Sequence, residues 1–161
     1  MEHQTLIADA AGRHGLPANL VAAVVEVESG GDAWAFRHEP GFYERYVKDD
    51  ASVRAAPPCS RETERRARAF SWGLMQVMGA TARGLGFTGP FLAELTDPAL
   101  NLEYGCRLLA RLRGREHARH GWPGVVAAYN AGSARLDGQG RFVNQSYVDK
   151  IAKALGGKWP E

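Results

Sequence analysis

The sequence lacks most of the features that settle a function quickly. It holds two cysteines, Cys59 and Cys106, in 161 residues. Two distant cysteines make no disulfide framework, and no metal-ligand spacing surrounds either one. Neither a metal nor a cofactor is expected. No apolar run approaches the ~18 residues that a membrane span needs, so no stable membrane insertion is expected. The opening residues, MEHQTLIADAAGRHG, have no basic start and no long apolar stretch, and do not read as a secretory signal. The formal net charge is only +2, far too small to argue for a nucleic-acid partner. Internal repeats and low-complexity tracts are missing, and the alternation that marks strands is nearly absent.

What is present is a chain of the right size for one domain, residues 1–161, with one sizeable core. Its basic residues cluster in RETERRARAF (61–70) and RLLARLRGREHARHG (107–121). Such runs are usually solvated helix faces, or else they attract an anionic polymer. Cys106 falls in an apolar helical pattern and reads as a small core residue. Cys59 follows Pro57-Pro58 in a loop.

The pattern along the chain is mostly helical. A first helix covers residues 3–13. Pro17 suits the first turn of a second, which runs through NLVAAVVEVES and stops at Gly30-Gly31. Residues 32–60 are irregular, and a charged helix follows at 61–70. SWGLMQVMGATARGLG reads as a short helix. Asp97 caps and Pro98 opens the clearest helix, TDPALNLEYGCRLLARLRG. WPGVVAAYNAG is a shorter apolar helix ending at Gly132. NQSYVDKIAKALGG is amphipathic, with Tyr147, Val148, Ile151 and Leu155 on one stripe. The fold class expected is all-α, or predominantly helical.

Two glutamates interrupt the apolar second helix, in VEVESGG. Residues three, four and seven apart share a helix face. Glu28 therefore continues the stripe of Val21, Val24 and Val25, whereas Glu26 falls with Asn19, Ala22 and Ala23. A carboxyl at the end of a buried stripe is pushed toward its protonated form by desolvation. The negative end of the helix dipole acts in the same direction. A carboxyl that keeps its proton is what a general acid needs. Read from these residues alone, Glu28 is equally a helix-end side chain turned to solvent, the more usual fate of a glutamate.

Three later stretches change that balance: SWGLMQVMGATA (71–82), AAYNAG (127–132) and QSYVDKI (145–151). With Glu28-Ser29 they stand in the order found in the family 1, Slt-type lytic transglycosylases, and the chain resembles that goose-lysozyme-like family over roughly residues 5–155. The resemblance implies a lysozyme-like helical domain with a glycan-binding groove. It implies cleavage of the β-1,4 bond between N-acetylmuramic acid and N-acetylglucosamine in peptidoglycan, leaving 1,6-anhydromuramyl ends. It makes Glu28 the catalytic acid and base. It assigns substrate binding to Ser29, Gly73, Leu74, Met75, Gln76, Tyr129, Asn130 and Tyr147. Met75 and Tyr129 would offer apolar surface to sugar faces, and Tyr147 would also hold the Glu28 carboxyl. Taken singly, these residues have blander readings: Met75 and Tyr147 as core, and Asn130 as a helix end.

The chain departs from the pattern between Glu28-Ser29 and the GLMQ block, where an insertion occupies about residues 32–70. Loops this long are uncommon unless functional or partly structured. The insertion carries Glu39. As a second carboxylate it would hold a water and make the enzyme a goose-type hydrolytic muramidase. Alternatively it pairs with Arg37 or Arg45. A third reading is an inactive glycan-binding module. The partner expected is the peptidoglycan strand, bound by a monomer. A wall-cutting chain without an export signal is expected to be made in the cytoplasm. It would reach the wall through a phage holin, as an endolysin, or through a secretion apparatus.

Overall fold

The computed structural model describes residues 3–161. Helix α1 (Gln4–Arg13) packs against α2 (Ala18–Ser29), and the tight turn between them ends on Pro17. Pro17 sits one position earlier than the sequence suggests, as the N-cap of α2, where its carbonyl accepts the first helical bonds from Leu20 and Val21. Gly30, at φ 63°, closes α2 in the left-handed conformation that a side chain disfavours. Leu20, Val21, Ala23, Val24 and Val25 are all buried. Glu26 is exposed, as its helical phase requires.

The insertion is structured. Strand β1 (Phe36–His38) leads into a short helix, α3 (Pro40–Phe42), and a π-helical turn over Tyr43–Val47. A loop then precedes α4 (Arg61–Arg68), which Ser60 caps by accepting the Thr63 N–H at 3.0 Å. Here the expectation of a solvated charged face needs correcting. Glu64 is fully buried, with Arg68 and Arg83 against its two oxygens at 2.8 Å each.

The expected helix over SWGLMQVMGATARGLG is also corrected. Its first half is a hairpin: β2 (Phe70–Trp72), a turn, then β3 (Val77–Met78). Only the second half is helical, as α5 (Gly79–Gly84). With β1 the hairpin forms a three-stranded antiparallel sheet of order β1-β2-β3. Arg37 pairs with Ser71, Phe36 with Trp72, and His38 with Phe70. Alternation puts the two kinds of pair on opposite faces. Arg37 and Ser71 face a groove. Phe36, His38, Phe70 and Trp72 form an aromatic cluster on the other side, with Phe36 and Trp72 stacked at 6.0 Å.

A 3-10 turn (Leu92–Thr96) leads to α6 (Pro98–Ala131), capped by Asp97 through the Leu100 N–H at 2.8 Å. The two helices expected here run on as one element, with non-helical backbone at Gly121 (φ 60°) marking the break between them. Helix α7 (Gln145–Ala154) packs on both α2 and α6 and buries Tyr147, Val148 and Ile151. One hydrophobic cluster links α1, α2, α6 and α7 with the hairpin, and Cys106 lies within it. Among the described residues no helix is long and apolar enough to cross a membrane.

Candidate active site

The last turn of α2 delivers Glu28 to a groove of about 530 Å³. The sheet supplies Arg37 and Ser71, the loop after β1 supplies Glu39, the hairpin supplies Gln76 and Met78, and the end of α6 supplies Tyr129 and Asn130. Phe42 and Tyr46 reach in from the insertion. A second cavity, of about 750 Å³, lies beside Trp34, Asp32 and Asp97 and does not include Glu28.

Glu28 is half-buried. Tyr147, from α7, donates its hydroxyl to Glu28 Oε1 at 2.6 Å. Four influences act on the carboxyl. Burial is the largest and raises its pKa. The Tyr147 bond and the Arg37 charge lower it, while the Glu39 charge raises it again. The result is a pKa above the ordinary glutamate value. Burial and the adjacent carboxyl also raise the Tyr147 pKa, so its hydroxyl stays a donor.

The turn between β2 and β3 is held by Asn101, a residue that sequence reasoning missed. It is fully buried on α6. Its amide donates to the Trp72 and Leu95 carbonyls at 2.7 and 2.8 Å, and its oxygen accepts the Met75 N–H at 2.8 Å. Gly73, at φ 66°, gives Asn101 room, since a Cβ there would meet its amide nitrogen at 2.5 Å. Gln76 also has positive φ, 47°, an uncommon conformation for a residue other than glycine. Its amide donates to the Ala35 and Gly73 carbonyls at 3.1 and 3.0 Å, which leaves the side-chain oxygen for a ligand.

The expected binding residues thus divide. Gln76, Asn130 and Tyr129 line the groove with Glu28. Leu74 and Met75 do not present side chains to it. Both are fully buried, because the hairpin turns them inward against α6, where Met75 packs on Gly105. The Met75 backbone matters instead: its carbonyl accepts the Tyr129 hydroxyl at 2.7 Å. Ser29 donates to the Leu74 carbonyl at 2.8 Å and accepts the Gly31 N–H at 3.2 Å, which ties the end of α2 to the hairpin turn. Asn130 accepts a bond from Asn144 at 2.9 Å. Its own N–H groups have no partner among the described residues.

Glu39 forms one of the ion pairs raised for it. It lines the same groove as Glu28. It also pairs with Arg37, whose Nε donates to Glu39 Oε1 at 2.6 Å. Arg45 instead lies over the Tyr46 ring at 5.8 Å. Nothing in the sequence marked Arg37, Phe42 or Tyr46 as groove residues, because they belong to the insertion that the recognised blocks leave out.

The family model for the transglycosylase SLT domain matches residues 5–151. The chain belongs to the transglycosylase SLT domain family. Among curated relatives, it is similar to the endolysin of Enterobacteria phage PRD1, at 38% identity over 63 residues. That match covers 35% of this chain and 42% of the endolysin, so the chain aligns with less than half of that relative's length. No solved structure matched.

Proposed function

We propose that this SLT-family chain is a peptidoglycan lytic transglycosylase, cutting the β-1,4 bond between N-acetylmuramic acid and N-acetylglucosamine. The carrying observation is one carboxyl of raised pKa at the groove, held by a buried tyrosine. Most glycosidases divide the work between two carboxylates. In this reading one suffices. Glu28 gives its proton to the glycosidic oxygen, and the bond to C1 of the muramyl ring breaks. The N-acetyl group steadies the developing cation. The ring's own C6 hydroxyl then attacks C1 and returns its proton to Glu28, closing a 1,6-anhydro ring. Gln76 and Asn130 hold the sugars through their unengaged polar groups. The likeness to an endolysin supports a role in cell-wall lysis; action as a monomer and release from the cytoplasm through a holin are part of the same proposal.

A specific observation favours a second reading. Glu39 lines the groove with Glu28; orienting a water there, it would make the enzyme a hydrolytic muramidase. Its short bond to Arg37 weighs toward the single-acid route, because that oxygen is already engaged. The product separates the two. Peptidoglycan digested in ¹⁸O-water and read by mass spectrometry should yield anhydromuramyl ends without label. Labelled reducing ends alone would overturn the transglycosylase reading in favour of hydrolysis. No cleavage at all would leave a glycan-binding module.

A further inference from the structure

We infer that Arg37 is a specificity-determining residue: it binds a carboxylate carried on the lactyl arm of the muramyl sugar and selects such strands over neutral ones. This rests on the proposed glycan substrate and adds to it a chemical reason for the insertion.

Arg37 is the one cation among the described residues that line the groove. Its side chain is 70% exposed, so it is not spent on packing. Only Nε has a partner, Glu39 at 2.6 Å. The two terminal nitrogens, with four of the five N–H donors, have none among the described residues. A guanidinium held by one edge presents its other edge as a planar fork, the geometry that takes a carboxylate through two parallel bonds.

The supports are ordered for that purpose. Glu39 fixes the guanidinium plane. Its backbone N–H donates to the Ala69 carbonyl at 2.8 Å, which anchors the residue beside β2. The pairing of Arg37 with Ser71 fixes which face of the sheet the arginine occupies. Arg37 is close enough to Glu28 for its charge to act on that carboxyl. A ligand group on the fork therefore lies in the same groove as the Glu28 carboxyl.

The chemistry of the strand supplies the matching group. Every second sugar carries a lactyl ether. Its carboxyl is free in strands stripped of peptide. In substituted strands it is an amide, and the carboxylates lie on the stem peptide. A polymer of N-acetylglucosamine alone has neither. A fork that bonds such a group favours the charged strand over an analogue lacking it, and because Arg37 is exposed, water replaces part of the lost bonds and the discrimination is moderate.

The test measures initial cleavage rates on four soluble substrates. These are peptide-free strands, peptide-bearing strands, and each of them after carbodiimide amidation of its carboxyls. The wild type should show a KM about tenfold lower for the carboxylate form of at least one pair. The pair that shows it identifies the lactyl or the peptide carboxylate. Arg37→Gln should abolish that difference by raising KM for the carboxylate form toward that of the amidated form; because the Arg37 charge also acts on Glu28, any change in kcat should be shared by both members of a pair. Arg37→Lys should recover part of it, since charge without the fork restores attraction but not paired bonds. Equal discrimination by wild type and Arg37→Gln would overturn the inference. So would a loss of kcat on all four substrates with the KM ratio of each pair retained, which would mark Arg37 only as a support of the catalytic centre. If the wild type cuts none of them, it is the glycan-cleaving reading itself that fails.

Discussion

Tyr147→Phe removes one hydroxyl and leaves the ring in its buried place between α7 and α2. The hydroxyl lies 2.6 Å from Glu28 Oε1, a length usual for a bond to an ionised oxygen. Such bonds are worth about 1.5–3 kcal/mol. The groove admits water, which replaces part of the loss, so the lower end applies. Because about 1.4 kcal/mol corresponds to one pH unit, the removal should displace the titration of Glu28 by about one unit. The direction is upward: the Tyr147 bond favours the carboxylate and opposes burial, which favours the acid. A general acid works only while protonated. The alkaline limb of the kcat/KM profile should therefore move to higher pH by about one unit. The maximum should fall by about tenfold or more as the carboxyl loses its fixed orientation. The assay is the loss of turbidity of purified walls, or cleavage of soluble strands, across a pH series, with the melting temperature checked at each pH. A lowered maximum with an unmoved limb would refute the reasoning, because the hydroxyl would then orient the carboxyl without tuning its titration. A limb displaced to lower pH would refute the sign.

Two further outcomes follow from the same geometry. Burial raises the folded-state pKa of Glu28 above its unfolded value, so its contribution to stability is complete at low pH and is lost as pH rises through the folded pKa. Glu28→Gln stays neutral throughout; it should abolish cleavage yet raise Tm near neutral pH by roughly 2–4 °C, for a gain of about 1 kcal/mol. That gain should vanish near about pH 3, where the carboxyl is protonated in both states. Asn101→Ala leaves two carbonyls and one N–H of the hairpin region without partners, at a cost of about 3 kcal/mol; thermal unfolding should fall by roughly 6–12 °C, and an unchanged Tm would show that Asn101 does not hold the turn.

The position of Glu28 on the buried face of α2 was legible because helical phase is regular, whereas its proposed role as the acid was favoured only through the resemblance. Val21, Val24, Val25 and Glu28 follow one face, and the sequence alone separates them from Glu26. The tie from Tyr147 was legible only through the resemblance, since nothing local joins residues 119 positions apart. The hairpin was misread for a physical reason. Leu74, Met75, Val77 and Met78 are apolar at spacings that suit a helix, and strands of two or three residues are too short to show alternation. Tertiary contacts with α6 decide the turn, and Asn101, the residue that makes them, looks like any polar position on a helix. Glu64 was hidden similarly. In a run of arginines a glutamate reads as solvated, and its partner Arg83 lies 19 residues further on. Of the groove side chains of the insertion only Glu39 was raised from the sequence; Arg37, Phe42 and Tyr46 had no signal as groove residues, because their positions depend on a strand pairing that three residues cannot announce.

The pairing of β1 with β2 sets a parity as well as a position. Arg37 faces Glu28's groove, while its neighbours Phe36 and His38 face the aromatic cluster behind. A slip of one residue along β2 would exchange them, setting an aromatic ring in the groove with Glu28 and sending the guanidinium to the far side. The groove's charge is therefore carried by the β1–β2 register and not by the length of the link from Gly30 to Ala35. A change of length that the irregular link absorbs leaves Arg37 in place, whereas an odd shift of the register inverts the face. Variation in the link should be tolerated where the pairs of β1 with β2 are kept, and the choice of substrate should switch abruptly where they slip by one.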